Sequence, residues 1–301
     1  MHMNNDRHAY CIIAHNEPYL FETLVSLLDD ARNDIYVMID AKSDIRLFNG
    51  VKTAHSRLCF LSNRVDIRWG DTSQMEAELA LFEYAYRQGE YLYYHLLSGA
   101  DLPLKSQDEI HRLMDEELRG KEFVDVADDP FNSGEAEYRT RYWHLFCRHF
   151  NAKNILVRYG ARILRKLLVE LQRLVGYRRD WDGMTIRKGA QWCSISGEFC
   201  AYLLERKEYM LRKFRHVPAV DEIFIQTMLW NSPFREQKYV GEEGLSTNFR
   251  AIDWGRGNPY VWRMEDLPGL LDSQMLFARK FSVEVDREIV ERIKSAIIPE
   301  L

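Results

Sequence analysis

Apolar runs alternate with helix-spaced segments from the start of the chain, the pattern of strands and helices layered around a largely parallel sheet. Ala9–Ala14 reads as a buried first strand, and Tyr19–Leu28 as a helix with Leu20, Leu24, Leu27 and Leu28 facing inward. Asp34–Ile39 and Leu58–Leu61 are the next predicted strands, Thr72–Arg87 is a helix, and Tyr91–Leu97 is an aromatic-rich strand. That strand stops at Ser98-Gly99-Ala100-Asp101-Leu102-Pro103, which has the turn chemistry of a strand opening into a site. The alternation breaks down between Asp129 and Gly189, where the helical stretch Ile155–Val175 belongs to an expected insertion over residues 130–188. Regular patterning returns with a strand at Gln191–Ile195, a helix over Glu198–Phe214, another from Asp221, and a last helix at Asp286–Ile298. No internal repeat or flexible linker interrupts this, so residues 1–301 read as one domain carrying that insertion.

Composition narrows the class. With 301 residues, 46% hydrophobic, the chain can bury one large core. Cys11, Cys59, Cys147, Cys193 and Cys200 are odd in number, scattered and without zinc-type spacing, so they read as reduced core residues. A net charge of -5 argues against a general nucleic-acid binder. No run of about 18 apolar residues occurs, and Met1–His8 is polar. The expectation is therefore a cytoplasmic protein, in contact with a membrane at most at its inner surface.

Ligands of parallel α/β sheets sit beyond the carboxyl ends of the strands. The polar groups there are His15-Asn16-Glu17, Asp40-Ala41-Lys42-Ser43-Asp44, Asn63-Arg64 and Ser98-Gly99-Ala100-Asp101, a set that suits a nucleotide pocket. Neither a glycine-rich dinucleotide fingerprint nor a phosphate loop of the GxxxxGK[ST] type is present.

Several stretches together resemble one family. They are Ala9–His15, Asp34–Ser43, Tyr94–Lys105 with its core Leu97-Ser98-Gly99-Ala100-Asp101-Leu102-Pro103, Lys188–Ser196, Val220–Thr227 and Leu276–Phe281. In order and spacing the chain resembles the core-2/I-branching β-1,6-N-acetylglucosaminyltransferases, glycosyltransferase family 14, whose relatives include the peptide O-xylosyltransferases. The resemblance implies a GT-A type α/β fold that binds a nucleotide sugar, with a mostly parallel central sheet flanked by helices. It also implies an inverting reaction without a bound metal. The short chain points to a bacterial-type member acting on a polysaccharide or glycolipid.

Inverting transfer is an in-line displacement at the anomeric carbon, so it needs a carboxylate to take the acceptor proton and positive charge to hold the departing diphosphate. Glu222 is the expected base: it falls in the first turn of a predicted helix, where the helix dipole favours a carboxylate, and it aligns with the family's catalytic glutamate. Taken alone, Asp221 and Glu222 are ordinary helix-capping residues. Arg250 and Lys280 align with the basic pair that contacts the diphosphate in the family, taking the place of a metal ion. Asp180-Trp181-Asp182 has the spelling of a metal-binding pair but follows a basic helix instead of a strand, and His144, Cys147 and His149 match no zinc module, so no metal or other cofactor is expected.

Asp40, Arg64 and Trp69 are candidates for uridine and ribose, with Trp69 either stacking on the base or buried as a core aromatic. Asp101 either binds the donor sugar or stabilises the turn before Pro103. Acceptor contacts fall to the polar patch of Glu135, Glu137, Arg139, Arg141 and Tyr142, with Glu137 and Arg141 the named candidates, and to Gln191 and Trp192. The xylosyltransferase branch is expected to carry an aspartate where Gln191 stands, which favours N-acetylglucosamine from its UDP-sugar as the transferred unit. A transferase of xylose or another UDP-sugar is the alternative, and a nucleotide-sugar or glycan-binding module without activity is the alternative from another class.

Residues 154–179 form a basic amphipathic helix, with Ile163, Leu164, Leu167, Leu168, Leu171, Leu174 and Val175 on one side and Arg158, Arg162, Arg165, Lys166, Arg173, Arg178 and Arg179 largely elsewhere. The apolar side is expected to pack on the domain with the cations in water. An anionic membrane surface or a dimer partner are the other faces it fits.

Overall fold

The computed structural model describes residues 6–127, 129–241 and 246–298; the polar start, Met1–Asn5, lies outside them. The first half of the chain is β1 (His8–Ala14), α1 (Pro18–Leu28), β2 (Asn33–Ile39), β3 (Arg57–Phe60), α2 (Ser73–Gln88), β4 (Tyr93–Ser98), β5 (Asp101–Pro103), and α3 (Gln107–His111). The second half is α4 (Pro130–Arg141), α5 (Ile155–Leu174), β6 (Ser194–Ser196), α6 (Gly197–Glu205), α7 (Lys207–Lys213), α8 (Phe224–Trp230), β7 (Arg250–Ile252), α9 (Leu267–Asp272), β8 (Phe277–Arg279) and α10 (Arg287–Ile297).

The central sheet has the order β3-β2-β1-β4-β6, parallel except for β6, which runs against β4. β1 is apolar on both faces because both faces are covered. Tyr10, Ile12 and Ala14 enter one core with α1 and α10, while Ala9 and Cys11 enter the other with α2, α6 and α8. The two-residue alternation of a strand thus divides one sequence between two cores. The five cysteines are free, as expected.

A second sheet, β5-β8-β7, is absent from the sequence reading. Its strands are three residues long, too short for alternation to show. β5 pairs with β8 so that Asp101 stands opposite Arg279, and this carries the C-terminal segment to the open edge of the central sheet. Two further expectations are corrected. The single helix over Glu198–Phe214 is two, α6 and α7, broken at Arg206. The strand expected at Gln191–Ile195 begins only at Ser194, because residues 189–191 are bonded to Asp125, Glu222 and Glu78 instead of to a neighbouring strand.

Glu122 is buried beside β6, where it accepts hydrogen bonds from the Ser196 amide and hydroxyl. Burial pushes its carboxyl from 4.5 up to about 7, against those bonds. A folded-state value above the unfolded one stabilises fully below about pH 4.5 and the benefit is lost as pH rises through 7. The difference in unfolding free energy between Glu122→Gln and the parent, measured by urea titration, is therefore expected to move in the variant's favour by roughly 3 kcal/mol between pH 4 and 8. A flat difference contradicts the burial of an ionisable group there.

Candidate active site

The carboxyl end of the central sheet opens into a cavity of about 610 Å³. Ile13 near the end of β1 and His15 just beyond it reach into the cavity, Ser98 ends β4, and Arg279 with Lys280 arrive from the end of β8. Gln191, Trp192, Asp221 and Glu222 also line it, as do Trp69, Trp254, Asn258 and Pro259.

Glu222 ends a short 3-10 turn, Val220–Glu222, immediately before α8, so the expected helix start is present but in two pieces. Its side chain is about one-third exposed. Oε2 accepts from Arg139 Nη1 at 2.8 Å, and Lys188 Nζ stands 3.8 Å away. Arg139 and Lys188 both also pair with Glu135. The backbone of Glu222 is fixed as well, since its carbonyl accepts the Gly189 amide at 2.9 Å. Gly189 has no room for more than hydrogen: a Cβ there lies 1.8 Å from the Asp125 carbonyl oxygen.

Behind Glu222 lie two buried acids. Burial, reinforced by the Glu222 charge, pushes Asp221 up to about 7, and burial with Asp221 nearby pushes Glu78 well above the usual carboxylate range. Gln74 donates to Asp221 at 2.8 Å and Gln191 donates to Glu78 at 2.7 Å. One oxygen of each acid, Asp221 Oδ1 and Glu78 Oε2, has no partner among the described residues. Each carboxyl, in its neutral form, can donate as well as accept a hydrogen bond.

The positive side of the cavity is Arg279 and Lys280. Arg279 donates to Asp101 at 2.7 Å and lies over the Trp192 ring at 4.5 Å. Lys280 Nζ makes no hydrogen bond or ion pair with any described residue, which leaves it free for a ligand. Both cations, after burial itself, help lower the His15 imidazole below its ordinary value, against the pull of Asp40. Arg250, expected at the diphosphate, does not line the cavity. Its guanidinium is fully buried, bonded to the carbonyls of Asn248 and Cys193 and stacked over Phe277, and burial lowers it to about 10. It lies on β7, beside the strand that carries Arg279, with Phe277 as its register partner.

Of the other expected residues, Trp69 stands at the cavity rim 69% exposed, so it is not a core aromatic. Trp192 is mostly buried but presents a face to the cavity. Asp40 is held by Lys42 at 2.6 Å, and Arg64 braces the strand end by donating to the carbonyls of Ile39, Asp40 and Ser43. Neither is part of the lining. Asp101 serves the turn, accepting from the Ser98 amide at 2.8 Å, and also holds Arg279. Glu137 and Arg141 pair with each other in a separate cleft. The opposite face of α4 instead turns toward Glu222, through Arg139 and its partner Glu135. Spacing four apart on a helix carried that information, but not which of the two pairs faces inward.

Asp180 and Asp182 lie outside the cavity, with Asp182 engaged by Lys213 and Tyr209. His144 is occupied by Arg165 and the Tyr138 carbonyl, and Cys147 by the His144 carbonyl. Among the described residues one trio, His8, His111 and Asp115, has ligand atoms close enough together for a metal ion. It sits in the interior, where Asp115 bonds both rings at 2.7 and 2.8 Å, and shares no residue with the cavity.

No curated protein matches the sequence. The crystal structure of mouse xyloside xylosyltransferase 1 in its apo form is similar to this chain with a TM-score of 0.39 and 12% identity, over 91% of this chain and 97% of that one. At that distance neither donor nor acceptor follows. The family model of the Core-2/I-Branching enzyme matches residues 8–267, which include every cavity residue except Arg279 and Lys280. With that match over most of its length, and with the layered α/β fold expected of a GT-A type glycosyltransferase, the chain belongs to the core-2/I-branching enzyme family.

Proposed function

We propose that the protein is an inverting glycosyltransferase that moves N-acetylglucosamine from UDP-N-acetylglucosamine to a hydroxyl of a glycan, without a divalent cation. The observation that carries this reading is the presence of Glu222, Arg279 and Lys280 in one cavity at the sheet's carboxyl edge. The acceptor hydroxyl gives its proton to Glu222 while its oxygen attacks the anomeric carbon. The bond from that carbon to the diphosphate oxygen breaks, and UDP leaves with the electron pair toward Lys280 and Arg279. An α-linked donor gives a β product, with a β-1,6 linkage the one the family resemblance implies. Arg250 supports the site indirectly, by donating to the carbonyl of Cys193, next to Trp192, and stacking over Phe277 of β8. Trp69 offers a flat face for uracil, and Trp192 one for a sugar ring. A bacterial polysaccharide or glycolipid is the acceptor class this reading favours.

Gln191 supports the choice of sugar. Its amide donates to Glu78, whereas the xylosyltransferase branch is expected to carry an aspartate at that place. A thermal-shift comparison of donors tests it. At about 100 times its Kd a ligand stabilises the folded state by about 2.7 kcal/mol. UDP-N-acetylglucosamine is expected to raise Tm more than UDP-glucose or UDP-xylose at equal concentration. A larger rise with UDP-xylose reassigns the donor, and the lack of any rise with UDP or its sugars removes the glycosyltransferase reading of this cavity.

A further inference from the structure

The orientation of α5 reverses the expected one. Only Ala161 and Val169 of its 20 residues are buried. The side turned to the protein is held by polar contacts, with Gln172 bonded to the Trp143 backbone, Arg165 to His144 and Arg162 to the Phe150 carbonyl. Leu156, Ile163, Leu167, Leu171 and Leu174, spaced at helical intervals on the other side, face outward, with exposures from 55% at Leu171 to 84% at Leu174. Soluble surfaces rarely leave so long an apolar stripe uncovered.

Charge selects what covers it. Residues 153–179 contain eight cations (Lys153, Arg158, Arg162, Arg165, Lys166, Arg173, Arg178, Arg179) against one acid, Glu170, in a chain whose net charge is -5. Arg162, Lys166 and Arg173 are exposed along one border of the stripe. A second copy packed on this face sets like charges against one another at the rim. An anionic bilayer accepts the leucines among its acyl chains and the cations among its headgroups. The helix also adjoins the active site: Arg162, Ile163, Arg165 and Lys166 share a cleft of about 430 Å³ with Trp69, which stands on the rim of the catalytic cavity.

We infer that α5 lies flat on an anionic membrane surface and sets the mouth of the active site beside the bilayer, where an acceptor carried on a lipid is presented. The docking stands whichever sugar the enzyme transfers. Flotation of the full-length protein tests it, using vesicles of pure phosphatidylcholine and vesicles in which phosphatidylglycerol makes up a third of the lipid. Binding is expected to the second kind only and to weaken with salt. Leu167→Glu combined with Leu171→Glu is expected to weaken it by at least about tenfold, and Lys166→Gln with Arg173→Gln to reduce both binding and its salt dependence. Both pairs are exposed, so unchanged melting and unchanged UDP affinity show that the fold survives. The inference is overturned if the parent fails to float with anionic vesicles, if the leucine variant floats as well as the parent, or if light scattering shows the stripe to be the contact of a dimer that the leucine variant splits.

Discussion

Glu222→Gln is expected to bind UDP within about twofold of the parent and to lower turnover by about a thousandfold. The two halves of that result separate the roles in the cavity. Glutamine keeps the size of the side chain and an oxygen that can still accept from Arg139, so the wall holding Glu222 stays in place. What it lacks is the capacity to take a proton from the acceptor. Arg139 retains Glu135 as a partner and is not left as a lone buried charge. A general base is worth about 10² to 10⁴ in rate, and a single-turnover assay that monitors UDP release reads a loss of that size directly. Turnover within a few-fold of the parent removes Glu222 from the mechanism and moves attention to the neighbouring acids, Asp221 and Glu78.

Lys280→Ala has a different signature. Its ammonium has no hydrogen-bond or ion-pair partner among the described residues, so its removal strands no charge among them, and the cost falls on the ligand. Turnover is expected to fall by about a hundredfold, the typical effect of deleting one group aimed at developing negative charge. Affinity for UDP is expected to fall too, by about tenfold, because the ammonium holds the product as well as the transition state. Isothermal titration with UDP and initial rates with saturating donor measure the two losses. The parent's rate is expected to be unchanged by a chelator. A parent that stops in chelator and recovers with Mn²⁺ shows that a cation does the work assigned here to Lys280 and Arg279. Arg279→Ala is a less clean probe, since it also leaves Asp101 buried without its partner.

Much of the frame was legible because β1, β2 and β4 are covered on both faces, so long apolar runs marked them to within two residues. The site was less so. Glu222 and Lys280 were found by resemblance, and the structure gives them a common cavity, but it is Arg279, not singled out from the sequence, and not the expected Arg250, that lines it with them. Nothing local distinguishes the two arginines: each sits on a three-residue strand, and which one faces out depends on how β7 and β8 pair. The apolar stripe of α5 was equally plain in the sequence, yet amphipathicity states only that a face needs cover, not what supplies it. Glu135 and Arg139 were recognised as part of a polar patch, while Glu137 and Arg141 on the opposite helical face were chosen, a difference of half a turn that spacing cannot resolve.

The crowding at Gly189 bears on how such an enzyme diversifies. The segment that presents Gln191 and Trp192 to the cavity is stitched to the carbonyl of Glu222 at a point with space for a single hydrogen atom. The shape of that wall and the placement of Glu222 are therefore coupled, and loop exchange across residues 187–192 disturbs both at once. Trp254, exposed at the rim and free of that stitch, is a position that can change while the wall around Glu222 keeps its alignment.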